Sequence, residues 1–179
     1  MSSQALAARC RALKLILSDV DGVMTDGTLL LLPDGREAKS FHVRDGLALV
    51  LAQRAGLRAG LLSGRHAEVV TQRGRELGLA VVCQGVADKR AALAEILREL
   101  ELEPHEVAYV GDDVNDLAVM GAVGLSAAPA DAPFEVRAAA FMVLETAGGR
   151  GCLREFIEAI LRARGDWEPL LESLGTPLP

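Results

Sequence analysis

The sequence is poor in aromatic residues, which make up only 3% of its 179 positions, and it contains only three cysteines. A core without aromatic side chains must be built from Leu, Val, Ile and Ala, a composition typical of a sheet covered by helices. The cysteines, Cys10, Cys83 and Cys152, are widely spaced, odd in number and without a C-x-x-C pair. This usage argues against a disulfide scaffold and favours buried thiols in a reduced compartment.

Long apolar runs and runs of like charge are also missing. No segment approaches the roughly 18 apolar residues of a membrane span, and the run at 13–17 is too short for a secretory signal. A formal net charge of −6 argues against electrostatic binding of nucleic acid. We therefore expect a cytoplasmic protein that has neither a membrane nor a nucleic acid as partner and binds a small or metal-neutralised ligand.

Short apolar runs alternate with helical patterns along the chain. The runs cover residues 13–17, 57–62, 79–82, 107–110 and 123–125, with a weaker one at 141–144. This alternation predicts an α/β fold with a doubly wound, Rossmann-like parallel sheet. The length fits a single domain over residues 1–164. Residues 165–179 contain three prolines and are predicted to be a tail that is ordered only if it docks.

Polar residues and glycines mark the ends of several predicted helices. Asp88 can cap one helix, and Asp45 can cap another that runs to Gly56. Gly78 can end a third helix, which begins near His66.

Residues 27–43 interrupt the alternation of strands and helices. Two β-like runs flank a turn at Pro33, Asp34 and Gly35, which predicts a β-hairpin. The leucine run at 29–32 is unusually apolar for an exposed hairpin. It therefore favours a hairpin that is buried in an interface between chains.

Two acidic clusters follow predicted strands. The stretch "ILSDVDGVMTDG" places Asp19 and Asp21 after the first strand, and "YVGDDVNDL" places Asp112, Asp113 and Asp116 after a later one. Ligands of open parallel sheets bind beyond the carboxyl ends of the strands. If the two strands are neighbours, at least four carboxylates share one crevice and require positive charge. Hard oxygen ligands without a Cys or His cluster favour Mg²⁺ over zinc.

Two further segments supply groups that can bind an anion. Lys89 lies in "VADKRA", and Ser63 and Gly64 lie in "LLSGRH", where a hydroxyl and backbone N–H groups open a predicted helix. A metal ion and a lysine can neutralise phosphate oxygens while a carboxylate attacks phosphorus. The sequence thus suits phosphoryl transfer through an aspartyl-phosphate that water then cleaves.

These residues carry a resemblance to a known superfamily. D-x-D-G at 19–22, Ser63, Lys89 and G-D-D-x-x-D at 111–116 resemble, in this order, the four motifs of the haloacid dehalogenase superfamily. The resemblance implies that Asp19 is the nucleophile and a metal ligand. It implies that Asp21 is the general acid/base and also binds the metal through its backbone carbonyl, and that Asp112 completes the metal site.

The same resemblance implies the roles of the remaining motif residues. Asp113 and Asp116 would support the metal's waters and Lys89. Ser63 and Lys89 would hold the phosphate as members of the catalytic set. Asp113, Asp116 and Ser63 could instead be helix caps, a reading that the residues alone leave open.

A closer resemblance extends from about residue 15 to residue 161. "DVDGVMTDG", "FHVRDG", "LLSGR", "VGLSAAPADA" and "GGRGCLREF" are similar to segments of the 3-deoxy-D-manno-octulosonate 8-phosphate phosphatases. That family implies no cap domain, a homotetramer packed through the hairpin, and sites closed by a neighbouring chain. It implies a phosphorylated sugar acid as substrate. The substrate contacts that it implies are Asp21, His42, Val43, Arg44, Asp45, Gly46, Gly64, Arg65, Arg73, Lys89 and Arg150.

The sequence departs from some members of that family at Val50, where they have an arginine. A phosphatase for a related nine-carbon sugar acid phosphate therefore stays open, as does another small-molecule phosphatase or phosphotransferase. Arg44, Arg65 and Arg73 could also form ordinary salt bridges. A non-catalytic oligomerising module is the alternative from another class, and the intact Asp19, Asp21, Lys89 and Asp112 argue against it.

Overall fold

A computed structural model describes residues 3–175 of the chain. It contains a parallel sheet of six strands in the order β5-β4-β1-β6-β7-β8 and a separate antiparallel pair, β2-β3. The sheet strands are β1 (Leu15–Ser18), β4 (Arg58–Leu62), β5 (Val81–Cys83), β6 (Val107–Val110), β7 (Leu125–Ala128) and β8 (Met142–Val143). The predicted α/β fold with a parallel sheet is confirmed.

Helices cover both faces of the sheet. They are α1 (Ser3–Ala12), α2 (Val43–Arg54), α3 (Glu68–Glu76), α4 (Lys89–Leu100), α5 (Leu117–Met120), α6 (Phe134–Ala139), α7 (Cys152–Arg164) and α8 (Trp167–Leu174). Side chains of β1 alternate between the two cores: Ile16 packs with α1, α2, α3, α7 and α8, whereas Leu15 and Leu17 pack with α4, α5 and α6. Of the helices in the described residues, none is long and apolar enough to cross a membrane.

The predicted hairpin is present as β2 (Leu30–Leu31) and β3 (Glu37–Ala38). Its turn is closed by a hydrogen bond from the Leu32 N–H to the Arg36 carbonyl, 2.9 Å. In the single chain Leu30 is 57% and Leu31 is 65% exposed. Its use as an interface stays a prediction.

The segment predicted as a tail contains α8 and packs onto the domain. Pro169 is only the third residue of α8, and proline is tolerated in the first turn of a helix because the N–H groups there have no intrahelical partner. Trp167 is buried, with the guanidinium groups of Arg154 and Arg162 4.9 and 5.1 Å from its ring centre. The sequence predicted that this segment would be ordered only if it docked, and α8 does pack onto the domain through Trp167. Residues 176–179 lie outside the described residues.

One of the two predicted helix caps differs in the structure. α2 begins at Val43 after an N-cap at His42, and Asp45 lies one turn in, where it is buried. Its Oδ1 instead accepts the Arg154 N–H, 2.7 Å, at the start of α7. The prediction that Asp45 caps its own helix was wrong because the acceptor serves a helix over a hundred residues away. Asp88 caps α4 as predicted, through the Ala91 N–H.

Candidate active site

The strand order brings the acidic motifs to one edge of the sheet. β1 lies between β4 and β6, so the residues that follow these three strands are neighbours. They line a cleft of about 240 Å³ formed by Asp19, Asp21, Gly27, Ser63, Gly64, Arg65, Asp112, Asp113 and Asn115. The two strands that precede the acidic clusters, β1 and β6, are therefore neighbours, as the prediction of a shared crevice required.

Lys89 lies beneath the cleft, between two carboxylates. Its ammonium nitrogen is 2.7 Å from Asp19 Oδ2 and 2.7 Å from Asp116 Oδ1, and the residue is buried. Burial works against the charged form, but attraction by Asp19 and Asp116 outweighs it and raises the pKa of Lys89. The lysine therefore stays protonated and supplies a fixed positive charge beside Asp19.

Asp116 is fully buried and holds this arrangement together. Its Oδ1 accepts hydrogen bonds from Lys89 and from the Tyr109 hydroxyl, 2.5 Å, and its Oδ2 accepts the N–H groups of Asp112, 3.0 Å, and Asp113, 3.3 Å. By contrast, Asp113 is exposed, and its carboxylate accepts the Val114 N–H, 2.7 Å. Asp116 thus orients Lys89 and the loop that carries Asp112. Asp113 instead caps the short helical turn that begins at Val114.

Charge remains uncompensated at the carboxylates of this cluster. Burial, together with the charge of Asp116, raises the pKa of Asp19 to about 6 despite the opposing effect of Lys89. Burial and the charges of Asp19 and Asp116 raise the pKa of Asp112 to about 8. One lysine therefore does not neutralise the group, and an additional cation would stabilise the ionised forms.

The cluster fits a divalent metal ion. Oxygens of Asp19, Asp112 and Asp116 lie within 4.8 Å of one another, and hard oxygen donors suit Mg²⁺. Gly22 leaves space for the Asp112 carboxylate in this cluster, because a Cβ at position 22 would lie 1.9 Å from Asp112 Oδ2. The second aspartate of the D-x-D-G motif, Asp21, directs its carboxylate toward the hairpin instead.

Asp21 is bound by a residue that the sequence analysis missed. Lys39, just after β3, donates a hydrogen bond to Asp21 Oδ1 and lies 3.5 Å from Glu37 Oε2. The other oxygen of Glu37 forms an ion pair with Arg65. The sequence offered no signal for these ion pairs. Lys39 lies 18 residues from Asp21, and only the folding of the hairpin against the sheet brings the two together.

Ser63 lies at the end of β4 and is buried in the cleft wall. Its hydroxyl accepts the Arg65 N–H, 3.3 Å. The helix expected to open here begins later, at Glu68, and the Ala67 N–H donates to Gln84 Oε1, 3.0 Å. The groups predicted to form an anion cradle therefore lie in the turn 63–65 and not at a helix N-terminus, because the helix begins only at Glu68.

Several residues implied as substrate contacts lie away from this cleft. Arg44 and Arg150 line a separate groove of about 440 Å³ along α7, and Val43 and Arg73 line a third of about 270 Å³. Among the implied contacts, only Asp21, Gly64 and Arg65 line the cleft, with Lys89 beneath it.

The end of the 42–46 segment is inaccessible in the single chain, whereas Val43 and Arg44 are exposed. Asp45 and Gly46 are buried, and a Cβ on Gly46 would lie 2.2 Å from an Arg73 nitrogen. His42 Nδ1 is buried without a hydrogen-bond partner in the described part of the chain. Val50 packs against the core. The substrate roles of His42, Val43, Arg44, Asp45, Gly46, Arg73 and Arg150 stay predictions.

Known proteins are similar to this chain in sequence and in fold. The sequence model of the haloacid dehalogenase-like hydrolase family matches residues 32–124 of this chain. The 3-deoxy-D-manno-octulosonate 8-phosphate phosphatase KdsC of Haemophilus influenzae is 39% identical over 153 residues, 86% of this chain and 85% of that protein.

Two solved structures show the same likeness. A probable YrbI family phosphatase from Pseudomonas syringae superposes with a TM-score of 0.93 at 39% identity, over 98% of this chain and 99% of that one. The 3-deoxy-D-manno-octulosonate 8-phosphate phosphatase from Moraxella catarrhalis, in complex with a magnesium ion, a phosphate ion and KDO, has a TM-score of 0.91 at 31% identity, over 94% and 97% of the two chains. The chain therefore belongs to the haloacid dehalogenase-like hydrolases and, within them, to the family of the 3-deoxy-D-manno-octulosonate 8-phosphate phosphatases.

Proposed function

We propose that this chain is a Mg²⁺-dependent phosphomonoesterase that hydrolyses 3-deoxy-D-manno-octulosonate 8-phosphate to the free sugar acid and phosphate. The observation that carries the proposal is the position of Asp19, which lines the cleft while Lys89 contacts one of its carboxylate oxygens. The family relationship supports the substrate, since a relative of 39% identity bears this activity in its name and a related structure holds magnesium, phosphate and KDO.

The residues of the cleft divide the reaction into two steps. In the first, the Asp19 carboxylate attacks phosphorus, the bond from phosphorus to the sugar oxygen breaks, and Asp21 gives that oxygen a proton. In the second, Asp21 takes a proton from a water molecule whose oxygen attacks phosphorus, which releases phosphate and restores the Asp19 carboxylate. Lys89 and the Ser63 turn hold the phosphate oxygens through both steps.

The carboxylates of Asp19 and Asp112 and the backbone carbonyl of Asp21 would hold the metal ion. When bound, the ion supplies positive charge that neutralises the carboxylates and the phosphate. Asp116 holds the protonated Lys89 and the 111–113 loop in place, and Asp113 supports the loop from its exposed side.

Recognition of the sugar acid requires more than one chain in this proposal. Arg44, Arg73 and Arg150 line grooves other than the Asp19 cleft, so they can serve substrate only through rearrangement or across an interface. The exposed leucines of the hairpin support an assembly, which we propose to be a homotetramer. The free thiols of Cys10, Cys83 and Cys152 fit the cytoplasmic location that we propose.

Phosphate release from 3-deoxy-D-manno-octulosonate 8-phosphate and from its nine-carbon analogue, with and without Mg²⁺, tests the function. We expect metal-dependent turnover of the eight-carbon ester and its loss in Asp19→Asn, which keeps the shape of the side chain and removes the nucleophile. Glu135→Gln, at an exposed position of α6 outside both the cleft and the hairpin, is the control and should retain full activity.

The outcomes separate chemistry from substrate. Turnover of the nine-carbon ester alone would contradict the proposed substrate but would still support the proposed mechanism. Val50, where some relatives have an arginine, is the departure that motivates this comparison. No turnover of any phosphate ester in the presence of Mg²⁺ would contradict the enzymatic function itself.

A further inference from the structure

Lys39 is a buried cation that the two-step reaction leaves without a role. Its side chain is 2% exposed, although it belongs to a hairpin whose other cation, Arg36, is 77% exposed. Burying the charged end of a lysine costs free energy unless opposite charges compensate it. Asp21 and Glu37 supply that compensation, so the lysine is held beside Asp21, which lines the cleft.

The contact with Asp21 leaves one carboxylate oxygen available. Lys39 donates to Oδ1, and no other group in residues 3–175 donates a hydrogen bond to either oxygen of Asp21. Asp21 also lines the cleft beside Asp19. One oxygen is thus anchored while the other stays available for a proton, which is the arrangement that a general acid/base requires.

The lysine is itself fixed from the side of the hairpin. Glu37 lies 3.5 Å from its ammonium nitrogen and forms an ion pair with Arg65, which follows the Ser63 turn. Alternating charges therefore connect Asp21 through Lys39 and Glu37 to Arg65, and the two ends of this network line the cleft. This network joins the hairpin to the reacting groups of its own chain.

We propose that Lys39 is a positioning residue that acts through Asp21, by holding its carboxylate in the orientation that proton transfer requires. The inference rests on the proposed phosphatase function and adds a second role for the hairpin beside that of an interface. Its effect should therefore depend on how much protonation the leaving group needs.

Two aryl esters that differ in their leaving group test this role. Phenolate is the more basic leaving group and needs the proton more than p-nitrophenolate does. We expect Lys39→Met to lower kcat/KM for phenyl phosphate about 10-fold or more and to lower that for p-nitrophenyl phosphate clearly less. Asp21→Asn should show the same selectivity, and adding Lys39→Met to it should change kcat/KM by less than about twofold.

Variants of the same hairpin separate positioning from damage to the fold. Arg36→Met should leave both esters unaffected, because within residues 3–175 the Arg36 guanidinium pairs only with Asp34, and neither residue lines the cleft. Lys39→Arg keeps a cationic donor and should recover part of the loss. Lys39→Gln serves the same comparison if the methionine variant does not fold.

Equal losses for the two esters, or losses that multiply in the double variant, would overturn the proposal, because Lys39 would then act independently of Asp21. If wild-type protein released no phosphate, or if Asp21→Asn kept full activity, the phosphatase mechanism would fail first and the role of Lys39 would fall with it.

Discussion

Single residues show how the cleft keeps like charges together. Asp116 has no exposed surface and accepts hydrogen bonds from one ammonium group, one hydroxyl and two backbone N–H groups. Its oxygens are therefore engaged in supporting Lys89 and the loop of Asp112. A buried carboxylate that is satisfied in this way fixes its neighbours, because moving any of them would leave polar groups unpaired.

Gly22 is the residue whose size most directly limits the metal site. It combines a φ of +87° with a Cβ position only 1.9 Å from Asp112 Oδ2. We expect Gly22→Ala to displace the Asp112 carboxylate and to raise the Mg²⁺ concentration for half-maximal activity by about 10-fold or more. A Mg²⁺ titration of activity measures the change.

Gly56→Ala is the matched control for this variant. Gly56 has a φ of +84° and open space where a Cβ would lie. Both substitutions carry the backbone cost of a left-handed alanine, about 1 kcal/mol, whereas only Gly22→Ala also meets Asp112. An unchanged Mg²⁺ requirement in Gly22→Ala would mean that Asp112 does not hold the ion.

At the scale of secondary-structure elements, the hairpin presents different chemistry on its two strands. The exposed leucines precede and form β2, whereas Glu37 of β3 and the adjacent Lys39 pair with groups of the cleft. An assembly through the leucines would therefore also order the strand that anchors Asp21. This arrangement gives the proposed interface a direct connection to the active site of its own chain.

Charged residues on β2 test that interface. We expect the double variant Leu30→Lys, Leu31→Lys to sediment as smaller species, since ammonium groups cannot be buried against leucines without partners. Its kcat/KM for the sugar acid ester should fall more than that for p-nitrophenyl phosphate, because only the sugar needs the neighbouring chain. Phe134→Lys, an exposed position on α6, is the control. An intact assembly in the double variant would contradict the role of the hairpin.

At the scale of the whole molecule, the carboxylate cluster couples folding to pH and to metal. The pKa values of about 6 for Asp19 and about 8 for Asp112 lie above the roughly 3.9 of an unfolded chain. Without metal, the folded chain therefore binds more protons than the unfolded one. The contribution of these groups to stability is present at low pH and is lost as the pH rises from about 4 to about 8.

Mg²⁺ should reverse this loss, because it binds the ionised carboxylates of the folded chain. We expect the rise in Tm on adding Mg²⁺ to be larger at pH 8 than at pH 5, as measured by thermal unfolding. Asp112→Asn should raise the Tm of the metal-free protein at pH 8 and lose most of the response. A response of equal size at both pH values would show that protons and metal do not compete at this cluster.

The sequence by itself determined the parallel α/β fold, the hairpin and the order of the acidic motifs, because these follow from local periodicity and from residues at strand ends. Tertiary structure alone decided that Asp45 caps α7, that Gln84 binds the N–H before α3, and that α8 packs through Trp167. It also decided that Lys39 reaches Asp21. Each of these contacts joins residues that are distant in the chain or depends on which face of an element is buried, and neither property is encoded in local pattern.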